Sequence, residues 1–352
     1  MSRNRKTLST LMAILAAFLF GLSSPVSKLL LTEIPPTLLA SLLYLGAGMG
    51  MLLIRTIRHL RKKRTFEAKM TKKELPYILG MIFLDIAAPV CLMIGLSLTT
   101  PANASLLNNF EIVTTSMIAL LIFKEAIGKR LWIAIILITL ASTILSFESL
   151  SSLSFSIGSL FVILACLCWG FENNCTRMLS LKDPLQIVVV KGVGSGLGSL
   201  FLALIVNQYR WNLLYSLMAL LLGFIAYGLS IYFYIFAQRE LGAARTSAYY
   251  ALAPFIGVFL SILFFGQPLT LSFVIALFLM LTGTFFIAFE QHQHLHIHQE
   301  ITHEHRHQHH DNHHNHVHEG IMDKEEHSHA HTHETLEHLH KHTPDLHHTH
   351  TH

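Results

Sequence analysis

The stretch Leu15-Ala-Ala-Phe-Leu-Phe-Gly21 recurs as Leu164-Ala-Cys-Leu-Cys-Trp-Gly170, and Lys28 follows the first copy at the distance at which Arg177 follows the second. A second parallel lies further on. Ala102 to Glu125 and Ala244 to Gln267 both begin with small residues and run apolar to a turn. Chance likeness between apolar helices is the competing explanation. Agreement of the glycine, the flanking cation and the spacing argues for an internal duplication instead.

Apolar runs and their breaks surround these stretches. A helix needs roughly 20 apolar residues to cross a bilayer core. Spans are placed at 8–31, 35–56, 75–99, 101–123, 130–149, 155–177, 184–207, 213–237, 244–266 and 269–289. The runs are too long for strands and lack period-two alternation. Ten consecutive apolar elements would leave a water-soluble bundle with no polar face. The expected fold is an all-α membrane protein of ten transmembrane helices arranged as two five-helix repeats, residues 8–149 and 155–290, followed by a tail at 291–352. Five is odd, so the second repeat enters the membrane inverted, as in many secondary transporters whose substrate site lies at midplane between the halves.

Lys and Arg fix the expected orientation. The N-terminal arm has Arg3, Arg5 and Lys6, the loop after the second span is densely basic, and the loops after spans 4, 6 and 8 add more, whereas the opposite face has Arg210. Both termini are expected in the cytoplasm, with the chain a multi-pass protein of the cell (inner) membrane. The basic N-terminus before an apolar run resembles a signal peptide, but no A-x-A site follows, so it reads as an uncleaved first span.

Composition agrees. Hydrophobic residues make up 52% of 352 and Asp, Glu, Lys and Arg only 13%, against about 25% charged in soluble domains. The net charge of +4 comes from loops between spans and gives no reason to expect nucleic acid. Cys91, Cys166, Cys168 and Cys175 all lie in apolar stretches, which suits buried thiols better than a secreted disulfide framework or a metal site.

Phe20-Gly21 followed by Pro25 and Lys28, the second-half Trp169-Gly170, and Ala104-Ser105-Leu106-Leu107 running to Glu111 and closing at Glu125 carry a family resemblance. They resemble the EamA-type domain of the drug/metabolite transporter superfamily, in both copies and over residues 8 to 290. The resemblance implies ten spans with both ends cytoplasmic, and a transporter. Its motifs are short and fix no substrate. Many members have an Arg in the second span where this chain has Leu42-Leu43-Tyr44, so an anion site built on that Arg is not carried over.

An ionisable side chain inside a span costs several kcal/mol unless paired or solvated, which makes each one a functional candidate. Asp85 lies in span 3 before Pro89, Glu111 in span 4 just after Asn108-Asn109, and Lys191 in span 7. Glu172, Asn173 and Asn174 lie toward the cytoplasmic end of span 6. The functional reading is a central polar cavity in which Asp85 or Glu111 takes up a proton, with Lys191 as counter-charge. The structural reading is a permanent Lys–carboxylate pair locking helices together. Lys28 is expected to snorkel to the interface. Gly192, Gly194, Gly196 and Gly198 form small-xxx-small pairs suited to close packing, and Pro25, Pro89 and Pro254 are expected to kink spans 1, 3 and 9.

Residues 292–352 hold 24 of the 25 histidines. They include His292, His294, His296, His298, His303, His305, His307, His309, His310, His313, His314, His316, His318, His327, His329, His331 and His333. With so little apolar surface the tail is expected to be disordered. Neutral imidazole ligates zinc, nickel, cobalt and copper, so divalent metal ions are expected to bind there, without selectivity; no cofactor is required.

Two function classes follow. One is a secondary exporter of a small organic metabolite or drug, driven by protons, with the tail as an accessory. The other is a divalent metal efflux or metal-regulated carrier. The spans contain no histidine and no H-x-x-x-D pair, which favours the first. No nucleophile–base constellation suggests a membrane enzyme. The expected partners are the lipid bilayer, a small-molecule substrate, protons and divalent metals, with the chain a monomer or homodimer.

Overall fold

The structure is a computed structural model. It describes residues 3–60, 71–123, 128–149, 154–179, 182–241, 246, 249–266 and 269–288, and in the tail 292–298, 301–307, 327–333 and 336–342. Among these, eight helices are long and apolar enough to cross a membrane: Thr7–Leu30, Pro36–Leu60, Lys72–Leu98, Pro101–Ile122, Lys129–Ser146, Ile157–Arg177, Pro184–Ile205 and Leu213–Ala237. Two shorter apolar helices, Ala253–Phe265 and Leu271–Phe286, complete the ten expected positions.

Several spans are interrupted. The first divides at Leu22 into α1 (Arg3–Gly21) and α2 (Ser23–Leu30). The second and third are α3 (Pro36–Leu60) and α4 (Leu75–Leu98). The fourth divides at Asn108-Asn109 into α5 (Pro101–Leu107) and α6 (Phe110–Phe123). Then come α7 (Lys129–Ser146), α8 (Ile157–Arg177) and α9 (Pro184–Ile205). The eighth span is α10 (Leu213–Leu222), a π-helical segment at Gly223–Leu229, and α11 (Ser230–Leu241). α12 (Ala253–Phe265) and α13 (Leu271–Ala288) close the bundle.

Polar residues set the starts. The Thr100, Ser156, Asp183 and Asn212 side chains each accept a hydrogen bond from a backbone N–H in the first helical turn, and Pro101 and Pro184 open their helices. Such N-caps satisfy donors that a helix end leaves unpaired. Pro at the first position surrenders no intrahelical hydrogen bond. Of the three prolines expected to kink spans, Pro89 lies inside α4, whereas Pro25 and Pro254 sit in the first turn after a break, where a helix restarts.

The packing is two-fold. The second span lies on the seventh, the fourth on the ninth and the fifth on the tenth, while the third packs on the sixth as the first packs on the eighth. Exchanging the two five-helix halves leaves this pattern unchanged. Ser41 Oγ donates to the Gly196 carbonyl at 2.8 Å, and a Cβ on Gly48 would sit 2.5 Å from Val193 N, so α3 and α9 run antiparallel. Gly46, Gly48 and Gly50 stand in α3 as Gly194, Gly196 and Gly198 stand in α9. Their contacts correspond too. Gly46 and Gly50 face Leu220 and Phe224 of the eighth span; Gly194 and Gly198 face Ile82 and Ile86 of the third. Likewise Gly21 faces Ile256 and Gly170 faces Thr114.

Between the halves, β1 (Phe147–Ser149) and β2 (Ser154–Phe155) pair antiparallel. In the tail, expected to be disordered, β3 (His292–His298) pairs with β6 (Leu336–His342), and β4 (Ile301–His307) with β5 (His327–His333). The His-x-His alternation has a strand's period of two, so backbone pairing is the order such a segment adopts without an apolar core. Isolated two-stranded ladders are marginal in water.

Candidate functional site

α4, α8 and α9 bring their ionisable residues together inside the bundle. Lys191 Nζ lies 3.1 Å from Asp85 Oδ2 and 3.0 Å from Glu172 Oε2. Both carboxylates are buried, at 0% and 1% exposure. The Tyr44 hydroxyl, from α3, donates to Asp85 Oδ1 at 2.9 Å, and the Trp169 indole N–H reaches the Tyr44 oxygen at 3.4 Å. Thr176, one turn beyond Glu172, donates its hydroxyl to that carboxylate. Removing such charges from water costs several kcal/mol each, offset only by close opposite charge and hydrogen bonds. One ammonium here serves two carboxylates.

Glu111 stands beside this cluster on α6. Its Oε1 accepts from Asn173 Nδ2 at 2.6 Å, and the same amide reaches Thr115 Oγ1 at 3.2 Å. Lys191 is thus the counter-charge of Asp85 and Glu172, while Glu111 is held by a neutral amide. Asn174 serves packing: its Nδ2 donates to the Gly170 and Thr115 carbonyls at 2.8 and 3.2 Å. Asn109 turns away toward α13, its Nδ2 contacting the Leu106 carbonyl at 3.2 Å and Met280 Sδ at 3.7 Å.

Asn108 belongs to a second polar region. Together with Phe20, Gly21, Ser23, Ser24, Ser105, Ala253, Pro254 and Gly257 it lines a small interior cavity. Asn108 Oδ1 and Ser105 Oγ are buried without a hydrogen-bond partner among the described residues. The break between α5 and α6 creates this wall. Asn109, Glu111 and Ile112 bond back three residues rather than four, which tightens the chain at Asn108-Asn109. The ninth span has its own turn at Ala251-Leu252, where the Leu252 N–H donates to the Tyr249 carbonyl. Broken helices in matching positions of two repeats are where transporters build midplane sites.

Lys28 has specific partners. Its ammonium donates to the Leu96, Ser97 and Thr99 carbonyls at 2.6, 3.2 and 2.9 Å, so it caps the C-terminal end of α4. A cation there satisfies orphan carbonyls and the helix dipole together. Cys91, Cys166, Cys168 and Cys175 are all free thiols. Sequence reasoning passed over Tyr44, Thr115 and Thr176 as partners; each looks like an ordinary residue of an apolar helix until its neighbour is placed. His309, His310, His313, His314, His316, His318, Glu125 and Arg245 lie outside the described residues. His347, His348, His350 and His352 lie outside them too, and for the remaining tail histidines the structure gives strand positions alone.

The family model of the EamA-like transporter family matches residues 7–147 and 156–289. An uncharacterized transporter of Methanothermobacter thermautotrophicus is 25% identical over 290 residues, covering 78% of this chain and 84% of that protein. The uncharacterized transporter YyaM of Bacillus subtilis is 25% identical over 235 residues, 62% of this chain and 74% of its own. A solved crystal structure superposes with a TM-score of 0.56 at 16% identity, covering 81% of this chain and 96% of the other, which is a likeness of fold.

Proposed function

The chain belongs to the EamA-like transporter family of the drug/metabolite transporter superfamily, and on that premise we propose that it exports a small organic metabolite in exchange for protons. The observation that carries the proposal is the Asp85–Lys191–Glu172 cluster, with 3.1 and 3.0 Å contacts inside a membrane bundle. Two carboxylates share one cation, and Glu111 stands next to them with an amide partner. A pure structural lock would be balanced by one carboxylate. The additional acids give protons a place to bind and leave. Entry of a proton on Asp85 frees Lys191 to pair with Glu172 alone, which loosens α4 from α9. Low dielectric favours such neutralisation of carboxyls over bare charge. A helix pair that is tied when the acid is ionised and loosened when it is protonated is the two-state element that coupled transport requires.

Both termini are assigned to the cytoplasm by the excess of Lys and Arg in the N-terminal arm and the loops after spans 2, 4, 6 and 8. The charge cluster then lies between midspan and the cytoplasmic end, because Asp85 stands near the middle of α4, Lys191 in the first half of α9 and Glu172 in the second half of α8. The tail binds divalent metal as an accessory to the core. The competing reading, metal efflux, is favoured by one observation, the 24 histidines of residues 292–352.

Proteoliposome flux separates these. A metabolite gradient is expected to drive proton movement in the wild type, and Asp85→Asn is expected to reconstitute as folded protein without that coupling. Normal coupling in both Asp85→Asn and Glu111→Gln would refute the proton sites. Zinc, nickel or cobalt flux that vanishes when the chain is cut at residue 291 would establish the competing reading.

A further inference from the structure

The cavity beside Asn108 is the two-fold counterpart of a region that is filled. The correspondence that aligns Gly21 with Gly170, Ile256 with Thr114, and Ile82 with Leu220 extends to the residues between them. It places Ser23 opposite Glu172, Ser24 opposite Asn173, Ala253 opposite Glu111 and Gly257 opposite Thr115. On one side, Asn173 bridges Glu111 and Thr115 at 2.6 and 3.2 Å and the space is occupied. On the other, two serines, an alanine and a glycine leave it open. The ion pair repeats the asymmetry: Lys191 and Asp85 correspond to Leu43 and Gly223, and a Cβ on Gly223 would lie 2.0 Å from the Leu43 carbonyl oxygen. One half of the bundle is packed with charged and amide side chains. The other keeps a cavity with small walls.

We infer that this cavity binds the protonated amino head group of the transported molecule, so that the substrates are small organic amines. Three features of the interior select that chemistry. Asn108 Oδ1, an acceptor, is buried at 7% residue exposure and has no hydrogen-bond partner among the described residues; the Ser105 hydroxyl, at 2%, is equally unpartnered. A buried acceptor without a donor costs about 1–3 kcal/mol, which a donor-bearing ligand recovers. Next, no Lys or Arg lines the cavity among the described residues, and the interior of the bundle carries Asp85, Glu111 and Glu172 against Lys191, an excess of negative charge once these ionise. Glu111 is three residues from Asn108 across the helix break. Finally, Phe20 lines the cavity and packs against Tyr227 and Tyr250, each at 5.7 Å between ring centroids, and aromatic faces attract cations. The cavity has room for a group about the size of a water molecule or an ammonium, far below the roughly 300–1,000 Å³ of pockets for drug-sized ligands. It takes a head group, and the rest of the substrate extends from it.

This assignment rests on the carrier reading but is tested without a gradient. Purified full-length protein in detergent is melted with phenethylamine, phenethyl alcohol or 3-phenylpropionate, which share a ring and a short chain and differ in head-group charge. The amine is expected to raise the melting midpoint in a saturable way, the alcohol less, and the carboxylate not at all. Asn108→Leu is expected to weaken the amine about tenfold, by loss of one charge-assisted hydrogen bond. Ser24→Leu fills the cavity and abolishes the shift. A carboxylate effect equal to the amine's, an amine effect surviving both substitutions, or no amine effect in the wild type overturns the assignment. Should one variant fail to fold, the other decides. The two readings fail separately: amine binding without proton coupling in the wild type sinks the coupling alone, and coupling without amine preference sinks this site alone.

Discussion

At the scale of single residues, Lys191 has the largest expected effect. Its ammonium is the partner of two buried carboxylates, and removing one member of such a group leaves uncompensated charge, at about 3–5 kcal/mol. Lys191→Met is therefore expected to melt well below wild type in detergent. Adding Asp85→Asn and Glu172→Gln is expected to recover most of the loss, since neutral partners need no cation. A triple variant as unstable as Lys191→Met would show that the lysine stem, not its charge, was what mattered. Tyr44→Phe removes the hydrogen bond to Asp85 and is expected to cost about 1 kcal/mol while shifting the pH profile of transport. Charged members of this cluster were legible in the sequence, because an Asp, Glu or Lys amid apolar residues announces itself. Their neutral partners were not. A tyrosine or threonine in an apolar helix fits lipid, packing or a site equally well, and only the placement of α3 against α4 distinguishes them.

At the scale of elements, small residues decide how closely helices approach. Gly223 opens the π-helical segment against α3, where its Cβ position is 2.0 Å from a carbonyl oxygen. Gly223→Leu cannot be absorbed by a rotamer change, so the two backbones must part. Its cost is expected to exceed the about 1–3 kcal/mol of ordinary overpacking, read as a fall in melting midpoint. Gly266 gives the contrast. It ends α12 at φ +57° with nothing among the described residues within 4 Å of its Cβ position, so Gly266→Ala meets only the left-handed backbone penalty of about 1–2 kcal/mol. Apolar runs with their prolines and polar caps revealed the positions of the ten spans. They did not reveal the break at Leu22 or the π-helical segment, because these answer to contacts from other helices and leave the local hydrophobic pattern intact. One signal was readable and overlooked: the Gly-x-Gly-x-Gly run at Gly46 repeats at Gly194, and it marks the α3–α9 seam on the two-fold axis.

At the scale of the whole molecule, the duplication accounts for the packing and its asymmetry accounts for the site. Two like halves build a symmetric bundle; divergence at Ser23, Ser24, Ala253 and Gly257 on one side, and at Glu111, Glu172 and Asn173 on the other, gives each half a separate task. The tail is appended to this core. A chain ending at residue 291 is expected to keep transport while losing most of its affinity for nickel or zinc resin. Transport abolished by the truncation, with the core still folded, would make the tail part of the carrier. If a proton-coupled pathway runs past Asp85, currents from proteoliposomes on a solid-supported membrane report it directly. Concentration jumps of a metabolite panel, amines included, are predicted to give transient currents with the wild type and none with folded Asp85→Asn protein. Currents of equal size from both would contradict it.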